Sequence, residues 1–166
     1  NEVLTDVTLN TGLTVIDIGA FYACSKIKKV KLPNALKKIG ESAFEGCSAL
    51  EEVKFPNTLR KIGEAAFKDC GALEGVQIPN AVTSIDVEAF RNCKKIKDVR
   101  LPASVTSIGF LAFEGCSNIK TFKVDAQNKK YSQNNGNLYD KNKTIFFAAI
   151  TNKKVVTLLK SVKEVE

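Results

Sequence analysis

Histidine, methionine and tryptophan are all absent from this 166-residue chain. Without histidine, the chain lacks the side chain that most often serves as a general base near neutral pH and as a zinc ligand. Serines occur, but the sequence offers them no activating partner, and no glycine-rich phosphate loop follows a strand. We therefore expect a protein that is not an enzyme and that holds no cofactor and no metal ion.

Long apolar runs are missing too, since none approaches the ~18 residues of a membrane helix. We therefore expect no transmembrane segment. Apolar residues make up 44% of the chain and charged residues 26%, a composition that suits one folded domain with a sizeable core. The sequence has neither an initiator methionine nor a signal peptide, and we expect Asn1 to be a processed or trimmed end.

The net charge of +7 is unevenly distributed. Residues 126–166 contain eight lysines but only three carboxylate side chains. Such a basic end attracts nucleic acid, anionic glycans or acidic lipid. These lysines lack the clustering and the stacking aromatics of a nucleic-acid groove, so we expect no nucleic acid partner and interpret them as solvated surface. The eight are Lys129, Lys130, Lys141, Lys143, Lys153, Lys154, Lys160 and Lys163.

A strict repeat of 23 residues organises most of the chain. A period of this length is typical of a solenoid, in which one supersecondary unit stacks on the next. All five cysteines follow the period, which a disulfide framework would not do, and no close pair suits zinc. We interpret them as buried free thiols that act as small apolar fillers. The period is marked by Phe21, Phe44, Phe67, Phe90 and Phe113, and by Cys24, Cys47, Cys70, Cys93 and Cys116.

Each repeat predicts one short strand with alternate apolar residues turned inward. Stacking at a constant offset makes these strands a parallel sheet, and the prolines that follow them end the pairing along one line. A second apolar pair then turns the corner. The strand pairs are Val7/Leu9, Val30/Leu32, Val53/Phe55, Val76/Ile78, Val99/Leu101 and Phe122/Val124, and the prolines are Pro33, Pro56, Pro79 and Pro102.

After the corner, an Ala-Phe pair begins what we expect to be a single helical or 3-10 turn. The residue before each cysteine closes this turn. In four repeats this residue is glycine, aspartate or asparagine, which tolerate the left-handed conformation that ends such a turn, and in the first repeat it is Ala23. The phenylalanines are expected to stack as a spine inside the coil.

The template L-x-x-V-x-L-P-x-x-L-x-x-I-G-x-x-A-F-x-x-C resembles the BspA-like, Treponema-type leucine-rich repeats over nearly all of residues 4–165. The resemblance implies a leucine-rich repeat solenoid, a right-handed α/β coil with a parallel concave sheet and short helical or 3-10 turns on the convex side. It also implies an envelope-associated or secreted bacterial protein used in attachment, so we expect a cell-surface, periplasmic or secreted location.

The repeat is regular over residues 1–124, where the first copy is partial, and then breaks. Residues 125–158 form an irregular repeat, in which Gly136–Tyr139 and Thr144–Phe147 predict two short strands around a turn. Its next strand-like pair, Val156/Leu158, comes 34 residues after the last instead of 23. Residues 159–166 begin a further, truncated repeat, with Ser161–Val165 aligned to Ser104–Ile108. We expect one structural domain and a monomer.

Residues between the inward strand positions are expected to face the concave surface. One column contains Lys31, Lys54, Arg100 and Lys123, which would bind an acidic or carboxylate-bearing partner. The alternative interpretation is a charged, solvated sheet face without a ligand. The candidate ligand-binding residues are Lys29, Lys31, Glu52, Lys54, Gln77, Asp98, Arg100 and Lys123.

A second candidate surface is the aromatic group of the irregular repeat, namely Tyr131, Tyr139, Phe146 and Phe147, with Ile145 and Ile150. Exposed rings would form an apolar docking patch, whereas buried rings would plug the solenoid. Three functions follow from these features. The preferred one is non-enzymatic recognition of a protein or other macromolecule on the concave face. The alternatives are a carrier of a small hydrophobic ligand near the irregular repeat and a structural spacer in a surface protein.

Overall fold

The computed structural model describes residues 4–148 and 158–165. Short strands repeat every 23 residues and stack in parallel, so the predicted solenoid with parallel strands is confirmed, and it is a β-solenoid of about five regular coils. Each coil contributes one strand to a first sheet and one strand to a second sheet. We number the coils 1 to 5, for residues 4–26, 27–49, 50–72, 73–95 and 96–118.

The first sheet contains the predicted strands, and their inward valines are mostly buried. Equivalent residues pair across neighbouring coils: Val7 with Val30, Val30 with Val53, and Val76 with Val99. The prolines are buried and follow the pairing region, as predicted. The strands are β1 (Asp6–Thr8), β3 (Lys29–Lys31), β5 (Glu52–Lys54), β7 (Val76–Gln77), β9 (Asp98–Leu101) and β11 (Thr121–Val124).

The corner residues form a second parallel sheet, which the sequence predicted only as a turn in the chain. Each strand has two residues. The first points outward and is valine, lysine or serine, and the second is a buried isoleucine. Ile39 pairs with Ile16 on one side and with Ile62 on the other. The strands are β2 (Val15–Ile16), β4 (Lys38–Ile39), β6 (Lys61–Ile62), β8 (Ser84–Ile85) and β10 (Ser107–Ile108).

The third side of each coil is a chain of tight turns, and the expected helical or 3-10 turns are not confirmed in the described residues. Alternate backbone N–H groups on this side donate to the next coil instead of along a helix. Phe44 N donates to Ala66 O at 2.8 Å, and Gly46 N donates to Lys68 O at 2.8 Å. Because these donors are already used between coils, they cannot build an intrahelical ladder.

Residues in the left-handed backbone conformation explain why this side of each coil forms turns instead of a helix. The predicted left-handed conformation before each cysteine is confirmed, with φ between 55° and 73° at Ala23, Gly46, Asp69, Asn92 and Gly115. A second left-handed position lies four residues earlier in every coil, and the sequence did not predict it. A residue with positive φ breaks a right-handed helix, so two in each coil prevent one. The second set is Gly19, Ser42, Ala65, Glu88 and Leu111, with φ between 49° and 61°.

The phenylalanine spine is confirmed. Consecutive rings stack with centroids 5.0 to 5.6 Å apart and planes within 11° of parallel. Such pairs add to the free energy gained by burying each ring. Phe44, Phe67 and Phe90 are fully buried, so the spine is the centre of the core.

The cysteines are free and buried, as predicted, and they do more than fill space. Each thiol from coil 2 onward donates to the carbonyl of the phenylalanine in the preceding coil. Cys70 Sγ lies 3.1 Å from Phe44 O, and Cys93 Sγ lies 3.0 Å from Phe67 O. A thiol is small enough for this position and supplies a weak donor to a buried carbonyl.

An ion-pair network connects coils 2 to 5 on the third side. Lys68 lies 2.7 Å from Glu88, and Arg91 lies 2.7 Å from the other oxygen of the same carboxylate. The hydrogen bond from Lys68 lowers the pKa of Glu88, and the same bond raises the pKa of Lys68. Glu45 and Glu114 extend the network at its two ends, so charges of opposite sign alternate along this side.

The irregular repeat contains the predicted hairpin, formed by β13 (Asn137–Asp140) and β14 (Ile145–Ala148). An additional strand, β12 (Tyr131–Asn134), pairs antiparallel with β13, and β15 (Glu164–Val165) pairs in parallel with β14. Asp140 closes the turn, because its carboxylate accepts the N–H groups of Thr144 and Ile145. The predicted Val156 strand position lies outside the described residues.

Asn128 and Tyr131 attach this repeat to coil 5. Asn128 is buried and donates to Pro102 O at 2.8 Å and Val105 O at 3.0 Å. The Tyr131 hydroxyl accepts the N–H of Ile108 at 2.8 Å. These side chains satisfy backbone groups of the last regular coil, which would otherwise be buried without partners.

The described residues include no helix able to span a membrane.

Candidate binding surface

All eight predicted binding residues lie exposed on the first sheet, in two columns that are two residues apart along each strand. Lys29 pairs with Glu52 and Lys31 with Lys54 across β3 and β5, while Gln77 and Lys123 each pair with Arg100. Parallel strands lie ~4.8 Å apart, so each column is a ladder of closely spaced side chains. The structure therefore brings together every residue of the predicted set. Thr157, which the column would reach next, lies outside the described residues.

Carboxylates neutralise part of this surface. Glu52 lies 3.4 Å from Lys54, and Asp98 lies 4.0 Å from Lys123. These exposed pairs contribute little to stability. Within the described part of the chain, Arg100 and Lys31 have no carboxylate within 4 Å. Arg100 therefore presents an unpaired guanidinium, whose planar fork suits a carboxylate.

The first sheet is interrupted between coils 3 and 4, in the middle of the columns. Strands β3 and β5 pair over three residues and β9 and β11 over four, but β5 and β7 share a single bridge, from Glu52 to Gly75. Gly75 occupies the column of Lys29 and Asp98 without a side chain, and a Cβ added there meets nothing within 4 Å. The gap is therefore open space above the backbone.

A cleft of ≈ 540 Å³ lies at this interruption. Its charged and polar walls include Glu52, Lys54, Gln77 and Arg100. Phe55 also lines it, half-buried and edge-on to Phe67 at 5.5 Å. A second depression of ≈ 420 Å³ continues along the columns and includes Asp98 and Lys123. The arrangement can hold an extended ligand with carboxylate groups and some apolar surface.

No cluster of three or more metal-ligating side chains occurs among residues 4–148 and 158–165. Of the second candidate surface, Tyr131 and Tyr139 are buried and Ile145 is half-buried. The two tyrosines therefore plug the end of the coil rather than form a docking patch. Ile150 and the side chains of Phe146 and Phe147 lie outside the described part.

Comparison with known families decides the relationship. A model described as the BspA type leucine rich repeat region matches residues 14–135 in six copies. The chain belongs to the BspA-type leucine-rich repeat family. Among curated proteins, none matches the chain.

Solved structures of bacterial leucine-rich repeat proteins share the fold of this BspA-type chain. A leucine-rich repeat protein from Eubacterium ventriosum has a TM-score of 0.79 and 27% identity, covering 94% of this chain and 42% of its own. A leucine-rich repeat protein from T. pallidum has a TM-score of 0.65 and 34% identity, and the match covers 66% of this chain and 51% of the T. pallidum protein. A leucine-rich cell surface protein from Faecalibacterium prausnitzii has a TM-score of 0.63 and 26% identity, covering 82% and 46%. The BspA-type chain spans about half the length of these proteins, or less.

Sequence reasoning found the columns of this BspA-type surface but missed the cleft. A signal for it existed, because Gly75 stands at a position that otherwise carries Asp6, Lys29, Glu52, Asp98 or Thr121. A glycine inside a strand often marks a close backbone approach or an irregular pairing.

Proposed function

We propose that this chain is a recognition module that binds an acidic protein segment through the first sheet. The observation that carries the proposal is the cleft over Gly75, which opens within the two charged columns. Leucine-rich repeat folds typically serve binding rather than catalysis, which supports a non-enzymatic role. The resemblance to repeats with a concave sheet supports assigning this face to the concave side of the solenoid.

The cleft suggests how a carboxylate would bind. Lys54 and Arg100 belong to coils 3 and 5, so their backbones lie ~10 Å apart with Gln77 between them. A carboxylate above Gln77 would accept hydrogen bonds from the Arg100 guanidinium on one side and from the Lys54 ammonium on the other. Gly75 allows the ligand backbone to approach the sheet. The ring of Phe55 supplies apolar contact at the base.

The carboxylates of the surface give it selectivity. Glu52 and Asp98 stand in the column beside the cations, so a uniformly anionic ligand meets repulsion as well as attraction. A ligand with spaced acidic groups avoids this penalty. We therefore propose a mixed, mainly acidic peptide segment as the partner.

We also propose that the module acts at the bacterial cell surface. The support is the similarity to the Faecalibacterium prausnitzii protein, whose description places that protein at the cell surface. In that setting the chain would contribute to attachment.

Replacing Lys31, Lys54 and Arg100 together by glutamate is expected to weaken binding of a peptide of alternating glutamate and alanine, an acidic probe with spaced carboxylates, by at least about 100-fold. The three side chains are exposed, so thermal stability should stay within about 0.5 kcal/mol of the original protein. Isothermal titration calorimetry measures the affinity, and thermal unfolding measures the stability.

The matched control replaces Lys94, Lys129 and Lys141 by glutamate, which changes the net charge by the same amount away from both sheets. This control should retain most of the affinity. An equal loss in both triple variants, or no loss in either, would reject the first sheet as the binding surface and favour the spacer interpretation.

A further inference from the structure

A compact group of four cations lies on the second sheet, away from the columns of the first. Lys38 and Lys61 are outward residues of β4 and β6 and pair directly in the ladder. The residues before them, Lys37 and Arg60, are adjacent as well, because Arg60 N donates to Lys37 O at 2.9 Å. All four side chains are exposed. We call these four residues the basic patch.

A carboxylate neutralises one of the four cations of the basic patch. Within the described part of the chain, Lys61 alone of the four has a carboxylate within 4 Å, namely Asp86 at 2.8 Å. Like charges directly opposite each other in a sheet are destabilising. The third side of the same coils shows the contrast, since there Lys68 and Arg91 alternate with glutamates.

The fold does not require cations at these positions. In coil 4 the equivalents of Arg60 and Lys61 are Thr83 and Ser84, and in coil 5 they are Thr106 and Ser107. Two neighbouring coils therefore carry a repulsion, only partly compensated by Asp86, that the next two coils avoid. An anionic ligand that bridges coils 2 and 3 would turn this repulsion into attraction.

We propose that the basic patch binds a sulfated polysaccharide. Cations one strand apart, at ~4.8 Å, match the closely spaced fixed charges of such a chain. The exposed hydroxyl of Ser107 and the half-exposed hydroxyl of Ser84 continue the same outward column and can hydrogen-bond sugar hydroxyls. The outward positions of the second sheet are Val15, Lys38, Lys61, Ser84 and Ser107, which include no aromatic ring for stacking a nucleic acid base.

The test replaces the basic patch by the residues of coil 4, as Lys37→Thr, Lys38→Ser, Arg60→Thr and Lys61→Ser. Heparin is the probe, and its affinity is measured by calorimetry over a range of salt concentrations. The variant should bind heparin about 10- to 100-fold more weakly, with a shallower salt dependence. It should be at least as stable to heat as the original protein, since a repulsion has been removed.

The control variant carries serine at Lys94, Lys129, Lys130 and Lys141, and therefore loses the same net charge from exposed positions outside both sheets. It should keep its heparin affinity, and Gly75→Thr on the first sheet should keep it too. Equal losses in the patch and control variants would overturn the proposal. It would also be overturned if the original protein failed to bind heparin, or bound single-stranded DNA or phosphatidylserine vesicles as tightly.

Discussion

Phe67→Ala is expected to lower the free energy of unfolding by about 3–5 kcal/mol. Phe67 is fully buried at the centre of the spine. Its ring stacks on Phe44 at 5.2 Å and on Phe90 at 5.4 Å, and it receives the edge of Phe55 at 5.5 Å. Truncation removes these contacts and leaves a cavity that the rigid stack of coils fills poorly.

Urea unfolding followed by circular dichroism measures this loss. The matched control is Phe110→Ala, which removes a ring that is 56% exposed two coils further along. That change should cost no more than about 0.5 kcal/mol. If Phe67→Ala and Phe110→Ala had similar effects, the stacked spine would not be the centre of the core.

In the folded protein at pH 8, Cys47 and Cys116 are expected to resist alkylation by about a thousandfold, and Cys70 and Cys93 should be strongly protected as well. Burial raises the pKa of Cys47 from its ordinary value of 9.0 to about 12, and burial likewise raises the pKa of Cys116 to about 12. Burial also raises the pKa of Cys70 and Cys93 well above the ordinary value. Only the thiolate reacts, so the reaction rate falls with the thiolate fraction.

Iodoacetamide labelling with mass spectrometry measures the reaction rate of each cysteine separately, and labelling in guanidinium chloride supplies the unprotected reference. Rapid labelling at pH 8 without denaturant would contradict the burial of these thiols.

The same pKa shifts make the stability of the fold depend on pH. Thiols that ionise near pH 9 when unfolded but near pH 12 when folded favour the folded state below pH 9. This stabilisation should be lost as the pH rises from 9 to 12.

The sequence was sufficient to predict the stacking of the coils. Val30, Phe44 and Cys47 recur at one interval, and a constant interval fixes which residues meet between coils. The inward strand positions, the ring spine and the buried thiols follow from that interval alone. The left-handed residue before each cysteine was also predictable, because glycine, asparagine and aspartate prefer that conformation.

The turns of the third side were not predictable from residue type. Ser42, Ala65, Glu88 and Leu111 are all left-handed, yet none of these types favours that conformation. Hydrogen bonds between coils hold them there, so tertiary structure decides the local backbone. The helical turns were expected from the spacing within one repeat. That spacing does not show that donors such as Phe44 N bond to the next coil, so the helical turns do not form.

The candidate site was predicted as a set of residues but not as a shape. The period places Lys31, Lys54 and Arg100 in one column, and exposure follows from alternation along the strand. The reduced pairing of β5 with β7 occurs at Gly75, and a glycine that occurs in a single repeat does not appear in a template common to all repeats. The basic patch was missed because the corner residues were not predicted to form a sheet.

The binding of the alternating glutamate–alanine peptide by Gly75→Thr tests the central claim most directly, because this change fills the cleft without altering any charge. Thr121 occupies the same repeat position, so the fold accepts the residue, and Gly71→Ser is the control at another glycine with open space around its Cβ. Recognition at the cleft predicts that Gly75→Thr weakens binding about tenfold or more while Gly71→Ser leaves it unchanged. Equal affinity in both variants and in the original protein would contradict it.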